Sequence, residues 1–390
     1  MSSRPHSPPN KPPRGPRKLQ AFWARVTEGL QIQELWGQFK SEAREGYQLY
    51  SKDVDWEAVQ KERSKFKRVL RSIWAMFQAM LMKLTPARRV LLLVALFLLV
   101  FHPEFKSGRD TVDLDFVVFS AIILFILLAL ELADRVTMKR DLEIAREIQQ
   151  WLVPSGPPDV PGTDIAFATR PQNTVAGDYY DAFLRPAQPN ATAAPDLLVV
   201  VADVAGKSVP AALLMATFQS GLRALSSTPA SLEDIVTGLD RYARAHSLEG
   251  RRFTTAFLAE IDPATREMHY TNCGHNDPIL RRASGAIERL ATGGPPLGLP
   301  LFTDHEIVYP AASVQLQRGD LLFIFTDGVV EAVNESGEEF GEPRLLSSIE
   351  STATENASVV LSRVMSDVNS FVGYARQHDD ITALVLRVTA

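Results

Sequence analysis

The chain has 390 residues, a formal net charge of -5 and 46% hydrophobic residues. Its only cysteine, Cys273, excludes an intrachain disulfide and points to a reducing compartment for the main domain. None of its seven histidines forms an HxxxH or HExxH pair, so zinc and thiol chemistry are poor readings, and the length allows about two domains.

Residues 1-19 carry Arg4, Lys11, Arg14, Arg17 and Lys18 and no acid, in a proline-rich stretch that cannot bury a core. They are expected to be a disordered, solvated basic tail, with no nucleic-acid partner. Residues 20-84 read as helical juxtamembrane segments. Phe66, Val69, Leu70, Ile73, Trp74, Phe77, Met80 and Leu81 follow helical spacing, interleaved with Lys65, Lys67, Arg68, Arg71 and Lys83. Two readings stay open here: a helix lying on anionic lipid, or a small helical bundle.

Two uncharged apolar runs, 90-101 and 116-130, predict a transmembrane helical hairpin over 85-133, provided that the flanks help each reach spanning length. Lys83, Arg88 and Arg89 precede the first run, and Arg135, Lys139 and Arg140 follow the second. The positive-inside rule then puts both ends of the chain on the cytoplasmic side of the inner membrane. No cleavable signal peptide is expected, because the first apolar run begins far from the N-terminus. Residues 134-154 predict a stalk helix ending near Pro154. Its apolar edge, Leu142, Ala145, Ile148 or Gln149, and Leu152, would let it pair with its twin in a homodimer.

From 155 to 390 the pattern is that of a separate domain with α+β layering. DIAFATR, DYYDAFLR and DLLVVVAD read as strands, and the segments after Pro210 and from Ser231 as helices. Hairpins turn at Asp262 to Thr265 and at Ser284-Gly285. The run VQLQRGDLLFIFTD, a helix over 357-372 and the strand ITALVLRV close the domain. Within it, LLVVVAD ends at Asp203 and LLFIFTD at Asp327. Each oily strand thus delivers a carboxylate to its end, where an ionised acid is costly unless something cationic receives it. Asp178 and Asp181 in Gly177-Asp178-Tyr179-Tyr180-Asp181, and Asp379-Asp380 before ITALVLRV, add further acids. Each alone is equally well a turn or cap residue. Together they form an oxygen-only set suited to Mg²⁺ or Mn²⁺.

The ordered motifs EIAREIQQWLVP, VAGDYYD, DVAGKSVPAALLM, NCGHNDP, GGPPLGL, LLFIFTDGVVEA and HDDITALVLRV cover roughly residues 141-390. In this order they resemble the SpoIIE-like bacterial branch of the metal-dependent Ser/Thr protein phosphatases. The resemblance implies a four-layer α-β-β-α sandwich, with two divalent cations, Mn²⁺ or Mg²⁺, at one end. It makes Asp178, Asp203 and the Val204 carbonyl ligands of one ion, Asp203 a bridge to the other, and Asp327 and Asp379 ligands of that second ion. Asp379 is favoured over Asp380, because related chains often carry a non-acidic residue at the second place. Asp181, His275 and Asp380 are expected in supporting positions, and His275 as a loop hydrogen-bonder before a general acid. Gly206, Gly274, Gly293, Gly294 and Gly298 are expected as turn residues around the site.

The implied activity is hydrolysis of phosphoserine or phosphothreonine on a cytoplasmic regulator, typically an anti-sigma factor antagonist, by a metal-activated water. A catalytically silent scaffold and a hydrolase of small phosphoesters are the alternatives. The chain departs from the pattern at Ala176 and Ser208, where glycine is frequent. It also lacks a secure counterpart of the phosphate-binding arginine, Arg170 being of uncertain placement.

Overall fold

The computed structural model describes residues 64-101, 116-186, 195-246, 252-300 and 307-389, with scattered positions between 51 and 59. The expected tail over 1-19, most of the helical stretch before Ser64 and the loop 102-115 lie outside the described residues. The chain divides into two compact units, Met1-Asp134 and Arg135-Ala390.

In the first unit, α1 (Lys65-Lys83) is followed by α2 (Pro86-Val100), which Pro86 opens without losing a helical hydrogen bond. The helix α3 (Phe116-Leu152), which belongs to this unit as far as Asp134, runs antiparallel to α2 there. Ser120 Oγ donates to the Ala95 carbonyl at 2.8 Å, and Arg88 pairs with Glu131 and Asp134 at 3.2 and 2.7 Å. Among the described helices only α3 is long and apolar enough to cross a membrane. The 15 residues of α2 rise about 22 Å, short of a hydrocarbon core of about 30 Å. The expected pair of spanning helices is thus met by one helix of that length beside a shorter one, because α2 stops at Val100, ahead of Pro103.

The second unit is a two-sheet sandwich. One sheet has the order β1 (Thr163-Arg170), β11 (Ile381-Val388), β10 (Leu321-Phe325), β6 (Ile279-Arg281), β7 (Ile287-Arg289). The other runs β2 (Tyr179-Leu184), β3 (Leu197-Val204), β4 (Thr254-Ile261), β5 (Glu267-Cys273), β8 (Gly293-Gly294), with β9 (Ala312-Gln315) also on β5. All pairs are antiparallel except β5 with β8.

Strand alternation separates the residues into layers. Leu197, Val199 and Val201 of β3 face Leu322, Ile324, Leu384 and Leu386 across the interior, whereas Leu198, Val200 and Ala202 pack outward on α4 (Val209-Ser226) and α5 (Leu232-Ala245). Phe323, Phe325, Ala383 and Val385 pack outward on α7 (Gly341-Ser351) and α8 (Ala357-Val372). Both faces of the central strands are therefore covered, and this is why β3 and β10 read as unbroken apolar runs. The α-β-β-α layering expected from the sequence is present.

The run VQLQRGDLLFIFTD forms two strands in different sheets, because Gly319 at φ +92° turns the chain between β9 and β10. Two local details differ from the sequence expectation. Gly293 and Gly294 form β8 rather than a turn. A Cβ on Gly293 would stand 1.8 Å from the Asn272 carbonyl oxygen, so only glycine permits that approach. Asp327 does not end a strand but opens the short helix α6 (Asp327-Val330).

Candidate metal centre

The strand register assembles the acids. Tyr179 pairs with Ala202, so Asp178, just before β2, lies opposite Asp203, near the end of β3. In the other sheet, Phe325 pairs with Ala383, and the Thr326 amide donates to the Thr382 carbonyl. Asp327 and Asp380 therefore leave adjacent strands at the same edge. Hydrogen bonds then join the two sheets at this end. Thr326 Oγ1 donates to Asp178 Oδ2 at 3.0 Å, and the Gly177 amide donates to Asp380 Oδ2 at 2.6 Å.

The Asp380 carboxylate also accepts from the Gln172 amide at 2.6 Å and is buried. Its neighbour Asp379 is more exposed and pairs with Lys207 Nζ at 3.1 Å. Lys207 also donates to the His378 carbonyl. The two adjacent acids are thus held differently: amides of the distant Gln172 and Gly177 occupy Asp380, whereas Asp379 accepts only the amide of its neighbour Asp380, at 2.9 Å on Oδ1, and the Lys207 ammonium on Oδ2. Among the described residues, no three Asp, Glu, His or Cys side chains are drawn into a closed ligand group as they stand.

They do lie within strong electrostatic reach of one another. Burial first, and then the charges of Asp203 and Asp380, hold Asp178 well above the usual carboxylate range. Burial, with Asp327 and Asp379 beside it, pushes Asp203 up to about 7. Burial followed by the Asp379 charge raises Asp327, and burial raises Asp380 against the pull of its amide donors. Acids that resist ionisation together form a site of high negative potential once ionised, and hard divalent cations answer both the charge and the oxygen-only donors. Asp178, Asp203, Asp327 and Asp379, with the Val204 carbonyl, can supply such a set.

The remaining expected residues have partners of their own. Asp181 is fully buried on β2 and accepts from Tyr179 Oη and from Arg223 Nε and Nη2, the last at 2.6 Å, which ties the strand to α4. The ring of His275 is buried, which drives its pKa down to about 4, so the imidazole is neutral near pH 7. Its Nδ1 meets Thr255 Oγ1 at 2.9 Å and its amide donates to Asn272 Oδ1 at 2.7 Å, the pattern of a loop hydrogen-bonder. Arg170 is committed to Gln377 Oε1 and Asn369 Oδ1, both at 2.7 Å, and ties β1 to α8. Gly206, Gly274 and Gly298 have φ of +121°, +66° and +83°, which makes them left-handed turn residues.

Two residues at this edge were not singled out by sequence as site residues. Gln149, on α3, donates through Nε2 to the Ala176 carbonyl at 2.7 Å and accepts the Ala176 amide on Oε1 at 3.0 Å. One side chain thus clamps the backbone just before Gly177-Asp178. The other is Lys207, whose signal in the sequence is a lone cation four residues after Asp203. Of the stalk edge expected to pair with a twin, Leu142, Ala145, Gln149 and Leu152 are half-buried and Ile148 is 50% exposed, and beside it Ile144 and Trp151 are exposed by 45 and 82%.

The sequence profile of the family Stage II sporulation protein E (SpoIIE) matches residues 194-389, and the chain belongs to this family. It is 27% identical over 287 residues to Protein IcfG of Synechocystis sp., covering 67% of this chain and 43% of that protein. It is 26% identical to phosphoserine phosphatase RsbU of Bacillus subtilis, covering 64% of this chain and 70% of RsbU. The chain therefore spans less than half the length of IcfG. Its fold is shared with the SiaA-PP2C domain of Pseudomonas aeruginosa, with a TM-score of 0.54 at 20% identity over 65% of this chain and 98% of that one.

Proposed function

We propose that this chain is a membrane-anchored, metal-dependent protein phosphatase that removes phosphate from serine or threonine on a cytoplasmic regulator. The observation that carries the reading is the meeting of Asp178, Asp203, Asp327 and Asp379 from both sheets at one edge of a SpoIIE-family sandwich. Bound divalent cations would supply the countercharge for a phosphate dianion and an activated water as nucleophile. The protein's part is to hold the acids. Thr326 orients Asp178 and amides of Gln172 and Gly177 fix the buried Asp380, so Asp379, the more exposed acid of its pair, is the one we assign to a cation. The likeness to phosphoserine phosphatase RsbU supports a phosphoprotein substrate, and an anti-sigma factor antagonist is the substrate class we favour.

Membrane anchoring rests on α3, whose most apolar window is 6% buried, and on the exposed apolar side chains of α2. On α1, Phe66, Val69, Leu70, Ile73 and Trp74 are exposed, which favours a helix lying against lipid over a self-contained bundle. We assign 1-19 to a basic tail, 20-84 to juxtamembrane helices, 85-133 to the membrane hairpin, 134-154 to the stalk and 155-390 to the phosphatase domain. The phosphatase domain lies on the cytoplasmic side in this reading. A homodimer through the stalk would use the exposed stripe Ile144, Ile148 and Trp151. The stalk acts as a switch in the same reading, because Gln149 on α3 holds the backbone that leads into Asp178.

The test is turnover by the detergent-solubilised chain with Mn²⁺, on a phosphoserine protein and on p-nitrophenyl phosphate, with Asp203→Asn as control. Hydrolysis of the phosphoprotein, abolished in Asp203→Asn rather than merely shifted in KM, is the expected result. Turnover of p-nitrophenyl phosphate alone would make the chain a small-phosphoester hydrolase. No turnover of either, with cation uptake intact, would make it a scaffold.

A further inference from the structure

Beside the acidic edge lies a cavity of about 210 Å³, lined by Lys207, Glu331, Gln377, His378 and Asp379 among others. Its lining places one cation, Lys207, among carboxylates. Burial and the neighbouring Asp327 and Asp379 charges already raise Glu331, and Lys207 opposes that rise in both Glu331 and Asp327. Two other cations near this edge are committed elsewhere. Arg170 bonds Gln377 and Asn369, and Arg252 Nη1 donates to the Ala205 carbonyl at 3.0 Å.

The Lys207-Asp379 pair is built to be exchanged. Its side chains are 50 and 40% exposed, and an ion pair that open contributes little to stability. The lysine stem is flexible and its ammonium is a mobile point charge, unlike a rigid guanidinium fork. The loop it stands on is not flexible in the same sense. Gly206 and Ser208 on either side hold φ of +121° and +67°, and α4 begins at Val209, so the Lys207 backbone is fixed while its ammonium is held only by the part-exposed Asp379 and the His378 carbonyl.

We infer that Lys207 is the phosphate-recognition residue of this chain, its ammonium passing from Asp379 to the substrate phosphate in the adjoining cavity when a divalent cation takes Asp379. The inference rests on the phosphatase reading above and supplies the recognition element that Arg170 does not. It gives Lys207 opposite effects on two ligands: it competes with a cation for Asp379, and it attracts phosphate.

The experiment uses the full chain in detergent, with Lys207→Met and Lys207→Arg. Each is titrated with Mn²⁺ alone, and then, at saturating Mn²⁺, with inorganic phosphate, both followed by calorimetry without turnover. Lys207→Met should bind Mn²⁺ roughly two- to fivefold more tightly, the effect of removing an exposed ion pair. Its phosphate affinity should fall by about tenfold or more, the loss of a charge-assisted hydrogen bond. Lys207→Arg should keep phosphate affinity within about threefold of the parent, because it keeps the charge. A merely structural lysine would weaken both ligands in Lys207→Met. That pattern, or phosphate affinity unchanged in Lys207→Met, overturns the inference. A parent chain that shows the expected pattern but hydrolyses no phosphoserine would leave the recognition site standing and remove the phosphatase reading.

Discussion

Ser208 stands at φ 67° and ψ -151°, a conformation that only glycine adopts without strain, and its side chain caps no helix amide. Ser208→Gly is therefore expected to stabilise the protein by about 1 kcal/mol, the relief of strain being partly offset by the added freedom of the unfolded chain. The urea midpoint checks this. Gly328 shows the opposite constraint, since a Cβ there would lie 1.9 Å from the Asp380 carbonyl oxygen. Gly328→Ala must push apart Asp327 and the Asp379-Asp380 segment. It should weaken Mn²⁺ binding by about tenfold or more, near 1.4 kcal/mol, in a direct titration. The glycine after Asp327 reads in sequence as an ordinary turn pair. Its reason is contact with a strand some fifty residues away, which no local pattern carries.

At the scale of elements, the apolar runs of β3, β10 and β11 and the helical spacing of α8 (Ala357-Val372) were legible because each is covered on a whole face or both. The helix α7 was not foreseen. It buries little beyond Leu345, Ser348 and Ile349, and Gly341 and Pro343 in its first turn read as breakers. The Gln149 clamp was equally hidden, because a glutamine on a polar helix has no sequence mark of its partner. Removing it leaves the Ala176 amide and carbonyl unpaired in a buried place, a loss of about 1 to 3 kcal/mol locally. In Gln149→Ala, amide hydrogen exchange over residues 174-178 should accelerate and Mn²⁺ affinity should fall. Unchanged exchange there would detach α3 from control of the Asp178 loop.

At the scale of the whole molecule, the acidic edge couples stability to pH and to cations. Asp203 titrates near 7 in the folded chain against 3.8 in its ordinary state, and Asp178, Asp327 and Asp380 are raised as well. Between about pH 4 and about pH 7 the folded protein therefore holds more protons than the unfolded one, so stability falls as pH rises through that window. In EDTA the fall should exceed about 1 kcal/mol, and saturating Mn²⁺, which replaces the protons, should flatten it. The convergence of acids at one edge was legible, since each stands within two residues of the end of a strand. What remained invisible was the allotment of partners: amides to Asp380, Lys207 to Asp379, Thr326 to Asp178.

Calorimetric titration of the full chain with Mn²⁺, beside Asp203→Asn, reaches the heart of the matter most directly. Saturable uptake by the parent, accompanied below about pH 7 by proton release and lost in Asp203→Asn, is the expected result. No uptake, or uptake that Asp203→Asn leaves unchanged, would mean that these carboxylates do not form a cation site.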